Sequence, residues 1–303
     1  MQKPIRITPN FYQLGTKQFP AYLSIGQIGM IIEGGTGPTA EIIIEQIKRL
    51  GINPNRIMYI ALTHTHSDHI GAIPRLKKIL PHVKVIASSI GAKILKNNNI
   101  LKEFLWIDKN ISELLKKKNE INEIPQPLDN YDFSVDIIVK EGDKIELGSN
   151  ITWHVYETPG HSPCHLAYYE EKEKSLVIGD ASGFYVPEKD VFWPNYFESL
   201  KKYINSIQKL AQLNAKRGVL SHNCVIEKDL QDYFKRAIDA TITYHNEMLE
   251  RVRRGEPIEE IAIDKANWVN SLTDIQPYKV MLNLSKLLIK RSQEAEKDIK
   301  KGV

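Results

Sequence analysis

Along the first two-thirds of the chain, short continuous apolar runs alternate with stretches of helical spacing. Gly29-Met30-Ile31-Ile32-Glu33 and Ile57-Met58-Tyr59-Ile60-Ala61-Leu62 read as buried strands. Between them Ala40, Ile43, Ile44, Ile47 and Leu50 recur at helical spacing, with Glu and Lys interleaved and Gly51 as a stop. A second helix is expected over 70–80, ending before Pro81, and a short strand over 83–87. Strand, helix, strand, helix, strand is the order of a layered α/β fold. Residues 89–122 then turn Lys- and Asn-rich, with a stripe of Leu101, Phe104, Leu105, Ile111, Leu114 and Leu115. Pro125-Gln126-Pro127 closes this segment, so a helical insertion is predicted over about 89–130.

Strands return at 135–139 and 144–147, and Glu141-Gly142-Asp143 between them predicts a hairpin. Residues 151–157 alternate like a half-buried strand, and Ser175-Leu176-Val177-Ile178-Gly179 is another. A helix is expected over about 195–213, then a strand into Ser221. From 228 the pattern is helical: Leu230, Phe234, Ile238, Ile242, Met248, Leu249 and Val252 share one face, Gly255-Glu256-Pro257 breaks it, and a last helix runs from about 275 to 299. The expected division is an α/β unit at 1–227 and a helical cap at 228–303, lying on that unit rather than folding apart from it.

The candidate chemistry sits in Thr63-His64-Thr65-His66-Ser67-Asp68-His69, directly after an apolar strand. In extended chain His64 and His66 point the same way. Asp68 and His69 follow on a turn and reach a second position. Two ligand sets suggest two metal ions. His161, Asp180 and His222 each follow a predicted strand end and bring the set to five His and two Asp. A carboxylate bridges two ions through its two oxygens, and Asp180 is the candidate. Imidazole and carboxylate suit zinc, iron or manganese, and the absence of thiolates from the set argues against an iron–sulfur cluster.

Composition narrows the class. A hydrophobic fraction of 42% with 26% charged residues is that of a soluble globular chain, and no apolar run approaches the ~20 residues of a membrane helix. The opening Met1-Gln2-Lys3-Pro4-Ile5-Arg6 lacks a signal-peptide core. Cys164 and Cys224 make no disulfide framework, so a cytoplasmic location is expected. A net charge of +4, with lysines in runs such as 116–118, fits solvated helix faces better than nucleic-acid binding. Gly34-Gly35-Thr36-Gly37 matches no full phosphate-binding fingerprint and reads as a tight turn near the metal site.

The run His64-X-His66-X-Asp68-His69, with His161, Asp180 and His222 following in order, resembles the metallo-β-lactamase superfamily over about residues 8–225. That resemblance implies a four-layer αββα sandwich with a dinuclear site at one edge. It implies His64, His66 and His161 on one metal, Asp68, His69 and His222 on the other, and Asp180 bridging. The layout, with Glu33-Gly34-Gly35, Gly179-Asp180-Ala181, the insertion and the helical tail, is also similar to PqsE-type thioesterases of quinolone signalling. One departure is Ser221-His222-Asn223-Cys224, where the family often has Gly-His-Gly; Cys224 is an alternative ligand there.

The implied activity is metal-dependent hydrolysis by a hydroxide generated from bound water, with Asp68 as the catalytic residue orienting the nucleophile or passing a proton to the leaving group. A thioester or related acyl bond is the expected substrate. A lactonase or phosphodiesterase on the same site is one alternative, and a diiron redox or oxygen-sensing protein is another. Expected partners are a small molecule such as acyl-CoA and a second copy of the chain, not nucleic acid or membrane. His82 and His154 read as structural. His165 is a candidate support for the ligands and His245 for the substrate pocket. Phe184, Tyr185, Phe192 and Trp193 are candidates to line an acyl pocket.

Overall fold

The computed structural model describes residues 3–128 and 133–300. The extreme ends of the two predicted units, and residues 129–130 at the close of the predicted insertion, lie outside the described residues. The first sheet takes its strands in chain order: β1 (Ile5–Thr8), β2 (Phe11–Gly15), β3 (Pro20–Ile25), β4 (Gly29–Ile32), β5 (Ile57–Ala61), β6 (Lys84–Ser88) and β7 (Ile137–Val139). β1 to β4 are antiparallel, and β4 to β7 are parallel. The second sheet is built from β8 (Lys144–Gly148), β9 (Ile151–Glu157), β10 (Leu166–Glu170), β11 (Ser175–Gly179), β14 (Arg217–Leu220) and β15 (Val225–Ile226). A separate hairpin joins β12 (Phe184–Val186) to β13 (Val191–Trp193).

Side-chain alternation along each strand sorts the core into layers. On β4, Met30 and Ile32 face the second sheet, where Trp153, Val155, Tyr168 and Val177 meet them. Ile31 between them faces outward onto the helices α1 (Ala40–Arg49) and α3 (Ile73–Ile79). The outer face of the second sheet is covered by α6 (Leu200–Ala211), α7 (Leu230–Arg253), α8 (Ile258–Leu272) and α9 (Tyr278–Lys300), whose apolar residues share one cluster with Ala167, Leu176 and Ile178. The result is the αββα sandwich. The insertion contains α4 (Ser89–Ile94) and α5 (Asn98–Lys117). Asp108 of α5 accepts from Gly37 N at 2.7 Å and Thr36 Oγ1 at 2.9 Å, which ties the insertion to the glycine-rich turn.

Three local expectations are corrected. The 135–147 hairpin does not form: β7 pairs with β6 in the first sheet and β8 with β9 in the second. The turn is held by β9 instead, since Gly142 N donates to Val155 O and Val155 N to Asp143 O, both at 2.9 Å. Ile145 and Leu147 are thereby buried between the sheets. The helix expected at 70–80 begins earlier, as α2 (Ser67–Ile70), and breaks before α3 where Ala72 N donates to Gly35 O at 3.3 Å. Asp68 and His69 therefore lie in a helical turn rather than on a free turn. The helix expected from 195 starts at Leu200, capped by Ser199 Oγ.

Two buried tyrosines fix the strand ends at the site. Tyr168 Oη donates to Leu62 O at 2.6 Å and Tyr22 Oη to Leu220 O at 2.5 Å. Those carbonyls lie two residues before His64 and His222, so packing between the sheets sets where both imidazoles start. No helix among the described residues is long and apolar enough to cross a membrane.

Candidate metal centre

The seven residues singled out in the sequence meet at one end of the sandwich. His64 and His66 follow β5, His66 in extended backbone, and Asp68 and His69 follow in α2. Gly34 N donates to His69 O at 2.7 Å, and a Cβ on Gly34 would lie 2.6 Å from that oxygen. The glycine-rich turn thus braces α2. His161 comes from the turn after β9, Asp180 from the end of β11 and His222 from the end of β14. Gly179 has φ +64°, and a Cβ there would meet His165 Nε2 at 2.7 Å, so the approach to Asp180 requires glycine.

The nitrogens converge. His64 Nε2 is 2.9 Å from His66 Nδ1, and His161 Nε2 is 3.3 and 3.1 Å from these two atoms. Asp180 Oδ2 lies 3.8 Å from His64 Nε2, 3.4 Å from His69 Nε2, 3.5 Å from His161 Nε2 and 3.7 Å from His222 Nε2. Asp68 Oδ1 is 3.6 Å from His69 Nε2, and Asp68 Oδ2 is 3.6 Å from His222 Nε2. Three groups, His64-His66-His161, His64-His69-Asp180 and Asp68-His69-His222, each bring their donor atoms within 4.8 Å of one another.

The outward-facing nitrogens decide the tautomers. His161 Nδ1 donates to Asn195 O at 3.0 Å and His222 Nδ1 to Gln18 O at 2.7 Å. His69 Nδ1 donates to the Glu33 carboxylate at 2.8 Å. Thr63 Oγ1 donates to Glu33 Oε1 at 2.6 Å, which leaves it to accept from His64 Nδ1 at 3.0 Å. In their neutral forms four imidazoles therefore aim Nε2 lone pairs at one another and at two carboxylates. His69 Nε2 is buried with no hydrogen-bond partner. Lone pairs and carboxylates gathered without donors are what divalent cations satisfy, so these residues fit a metal site.

Charge follows the same division. Burial pushes His64 and His161 well below the ordinary imidazole range, and His66 below it. Burial also opposes the charged form of His69, but Asp68, Glu33 and Asp180 outweigh it and raise this group well above its usual value. For His222 burial is likewise outweighed, chiefly by Asp180, and the group is raised. Burial disfavours the Asp180 carboxylate, yet His222 and His69 hold it well below the usual range.

His165 stands behind the ligands. Its Nε2 accepts from Asp180 N at 3.1 Å, and its Nδ1 faces Thr158 Oγ1 at 2.7 Å. Burial lowers it from 6.5 to about 4, so the unfolded chain binds a proton that the fold excludes. Its contribution is fully present above about pH 6.5 and is lost as pH falls toward 4, about 3 kcal/mol in all. In urea denaturation of the metal-free protein, His165→Gln is expected to flatten the stability profile across that window. A variant profile parallel to wild type would remove this role.

The remaining candidates divide. In the β12–β13 hairpin Phe184 pairs with Trp193 and Tyr185 with Phe192. Phe184 and Trp193 face the cavity over the metal centre. Tyr185 and Phe192 face the other way and pack on Tyr233. His245 is buried on α7, outside the cavity wall. Cys224 is half-buried, its thiol pushed up to about 12 by burial, and it joins none of the ligand groups. His82 Nε2 sits 3.0 Å from Ile57 O, a packing role.

Two contributors have no counterpart among the predicted site residues. Glu33, at φ 73°, is almost wholly buried and receives hydrogen bonds from Thr63, His69 and Ser221. Its signal was an acid ending an apolar strand just before two glycines. Gln276 arrives from the loop between α8 and α9 and donates from Nε2 to Asp68 Oδ2 at 3.1 Å. Nothing near it in sequence marks it.

The comparisons with known proteins agree with this architecture. An uncharacterized protein of Aquifex aeolicus is 30% identical over 144 residues, 48% of this chain and 56% of that protein. An atrochrysone carboxyl ACP thioesterase of Pseudocercospora fijiensis is 25% identical over 217 residues, 70% of this chain and 49% of that one. The chain thus spans about half the length of both curated relatives. A crystal structure of a metallo-beta-lactamase family protein from Thermus thermophilus superposes with a TM-score of 0.64 at 20% identity, covering 96% of this chain and 95% of that one. Residues 23–222 match the family model of the metallo-beta-lactamase superfamily, and with two-thirds of its length inside that match the chain belongs to this superfamily.

Proposed function

We propose that the protein is a metal-dependent hydrolase that uses two divalent ions to cleave a thioester or related acyl bond. The observation that carries this reading is the position of the ligand cluster at the floor of an apolar-walled cavity of about 210 Å³. His66, Asp68, His161, Asp180 and His222 form the floor, while Phe104, Ile107, Phe184, Trp193, Phe197 and Leu284 are among the walls. Apolar walls around a few convergent polar groups suit an acyl chain held over a reacting carbonyl. A thioesterase among the matched relatives supports the acyl class.

His64, His66 and His161 would hold one ion and Asp68, His69 and His222 the other, with Asp180 between them. Bound ions supply a water-derived nucleophile near neutral pH and polarise the substrate oxygen. The protein's own contribution is orientation. The carbonyls of Asn195 and Gln18 and the Glu33 carboxylate keep the Nε2 lone pairs aimed inward. Asp68 lies at the cavity floor and is the group that orients the nucleophile or carries a proton toward the leaving sulfur. The apolar walls exclude bulk water from the reacting carbonyl.

The test is hydrolysis by zinc-, iron- and manganese-loaded protein of acyl-CoA thioesters, lactones and bis-p-nitrophenyl phosphate in parallel. Turnover confined to lactones or the phosphodiester would displace the thioester reading, and a protein that binds no metal would remove it altogether. Each buried methylene is worth about 0.8 kcal/mol, so kcat/KM is expected to rise about fourfold per added carbon until the cavity is full. Leu284→Trp should move that limit to shorter chains. An unchanged chain-length profile would show that the acyl group does not occupy this cavity.

A further inference from the structure

We infer that Gln276 is a positioning residue that holds Asp68 and thereby sets the affinity of the second metal position, that of Asp68, His69 and His222. This rests on the two-ion reading above. Asp68 reaches toward His69 through Oδ1 and toward His222 through Oδ2, and Oδ2 also accepts from Gln276 Nε2 at 3.1 Å. The other amide atom, Gln276 Oε1, is buried without a hydrogen-bond partner. Burying an unpaired carbonyl carries an energetic cost that an apolar residue in the same space would avoid. The contact with Asp68 is what the amide adds.

The loop that carries Gln276 is tied down beside the same position. Asp274 Oδ1 accepts from Lys118 Nζ at 2.5 Å and from Gln18 Nε2 at 3.3 Å, and Lys118 also donates to Gln18 Oε1 at 3.0 Å. Gln18 is the residue whose carbonyl holds His222 Nδ1. Ile275, between Asp274 and Gln276, is buried in the cavity wall. One small cluster therefore joins the β2–β3 turn, the residue after α5 and the α8–α9 loop. It bears on Asp68 and His222, two of the three ligands of the second position. The supports found for the first position are different: Thr63 behind His64 and Asn195 behind His161. The geometry predicts that weakening the cluster loosens one ion and leaves the other.

The experiment is cobalt titration of the metal-free full chain, followed by d–d absorption and by equilibrium dialysis for stoichiometry. Wild type is expected to bind two ions. Gln276→Met, of similar volume without the donor, should weaken the second about 10–100-fold, the usual cost of removing an outer hydrogen bond to a ligand. The first ion should bind as before, and the melting temperature of the metal-free protein should not fall. At limiting metal, turnover of an acyl thioester should lose kcat with little change in KM. Lys118→Gln, remote from every proposed ligand, should give a smaller effect of the same kind, and it decides the matter if Gln276→Met lowers the metal-free melting temperature. Unchanged affinity for both ions, or an equal loss at both, overturns the inference while leaving the two-ion reading in place. Fewer than two ions bound by wild type overturns both.

Discussion

Asp180→Ala is expected to lower kcat/KM about a thousandfold and to weaken binding of both proposed metal ions. The reason is position. Asp180 Oδ2 is within 3.4–3.8 Å of nitrogens from His64, His69, His161 and His222, so it faces both ligand groups at once. In the proposed two-ion assignment, losing the carboxylate removes a shared ligand and the anion that would offset two cations. Metal polarisation of a carbonyl is worth several kcal/mol, and 1.36 kcal/mol is a factor of ten, which gives the scale. The main chain should stay in place, because Asp180 N donates to His165 whatever the side chain is. Circular dichroism should therefore match wild type while metal analysis and kinetics do not. Asp180→Asn keeps one ligand oxygen and loses the charge, so it should fall between the two. Two ions bound at wild-type affinity by Asp180→Ala would contradict this account of the site.

The cluster of His and Asp was legible because the fold writes these residues at strand ends. An apolar run followed at once by His or Asp is a local signal, and it recurred at 62–69, 180 and 222. The layered α/β character was legible for the same reason, since strand and helix periods alternate along the chain. What sequence reading missed depends on partners far away. The turn at 141–143 carries hairpin residues, but β9 claims its hydrogen bonds and sends β7 and β8 to different sheets. Phe184 and Tyr185 look alike in sequence, and only pairing with β13 shows that one faces the cavity and the other does not. Gln276 meets Asp68 across 208 residues, in a loop with no pattern of its own. The family resemblance supplied the pairing of ligands into two positions, which spacing alone left as a suggestion.

Glu33→Gln is the substitution in which a single atom's chemistry should matter most. The Glu33 carboxylate accepts from Thr63 and Ser221 at Oε1 and from His69 Nδ1 at Oε2. An ionised carboxylate is an acceptor only, so it fixes the His69 proton on Nδ1 and leaves Nε2 free as a ligand. A glutamine fits the same volume. With its oxygen kept on Thr63 and Ser221, its NH₂ group faces His69 Nδ1. That nitrogen must then accept, and the proton moves to Nε2, pointing a donor into the metal position. The reverse orientation keeps the His69 tautomer but sets the NH₂ group against two hydroxyls, which must reorient. The Thr63 hydroxyl then no longer has to accept from His64 Nδ1. The first orientation disturbs His69, and affinity for the second proposed ion is then expected to fall about 10–100-fold; the reverse orientation disturbs His64 and is expected to weaken the first instead. The change is also expected to destabilise the metal-free fold by about 1–3 kcal/mol, the cost of leaving one buried polar group unsatisfied. Nitrogen-15 chemical shifts of His69 in the metal-free protein, read at a pH high enough for the imidazole to be neutral, report the tautomer directly, and metal titration reports the affinity. A variant with the proton still on Nδ1 and two ions bound as in wild type would show that Glu33 serves the fold alone. A shifted tautomer with a weakened second ion would mark Glu33 as part of the metal centre, although it touches no metal in this assignment.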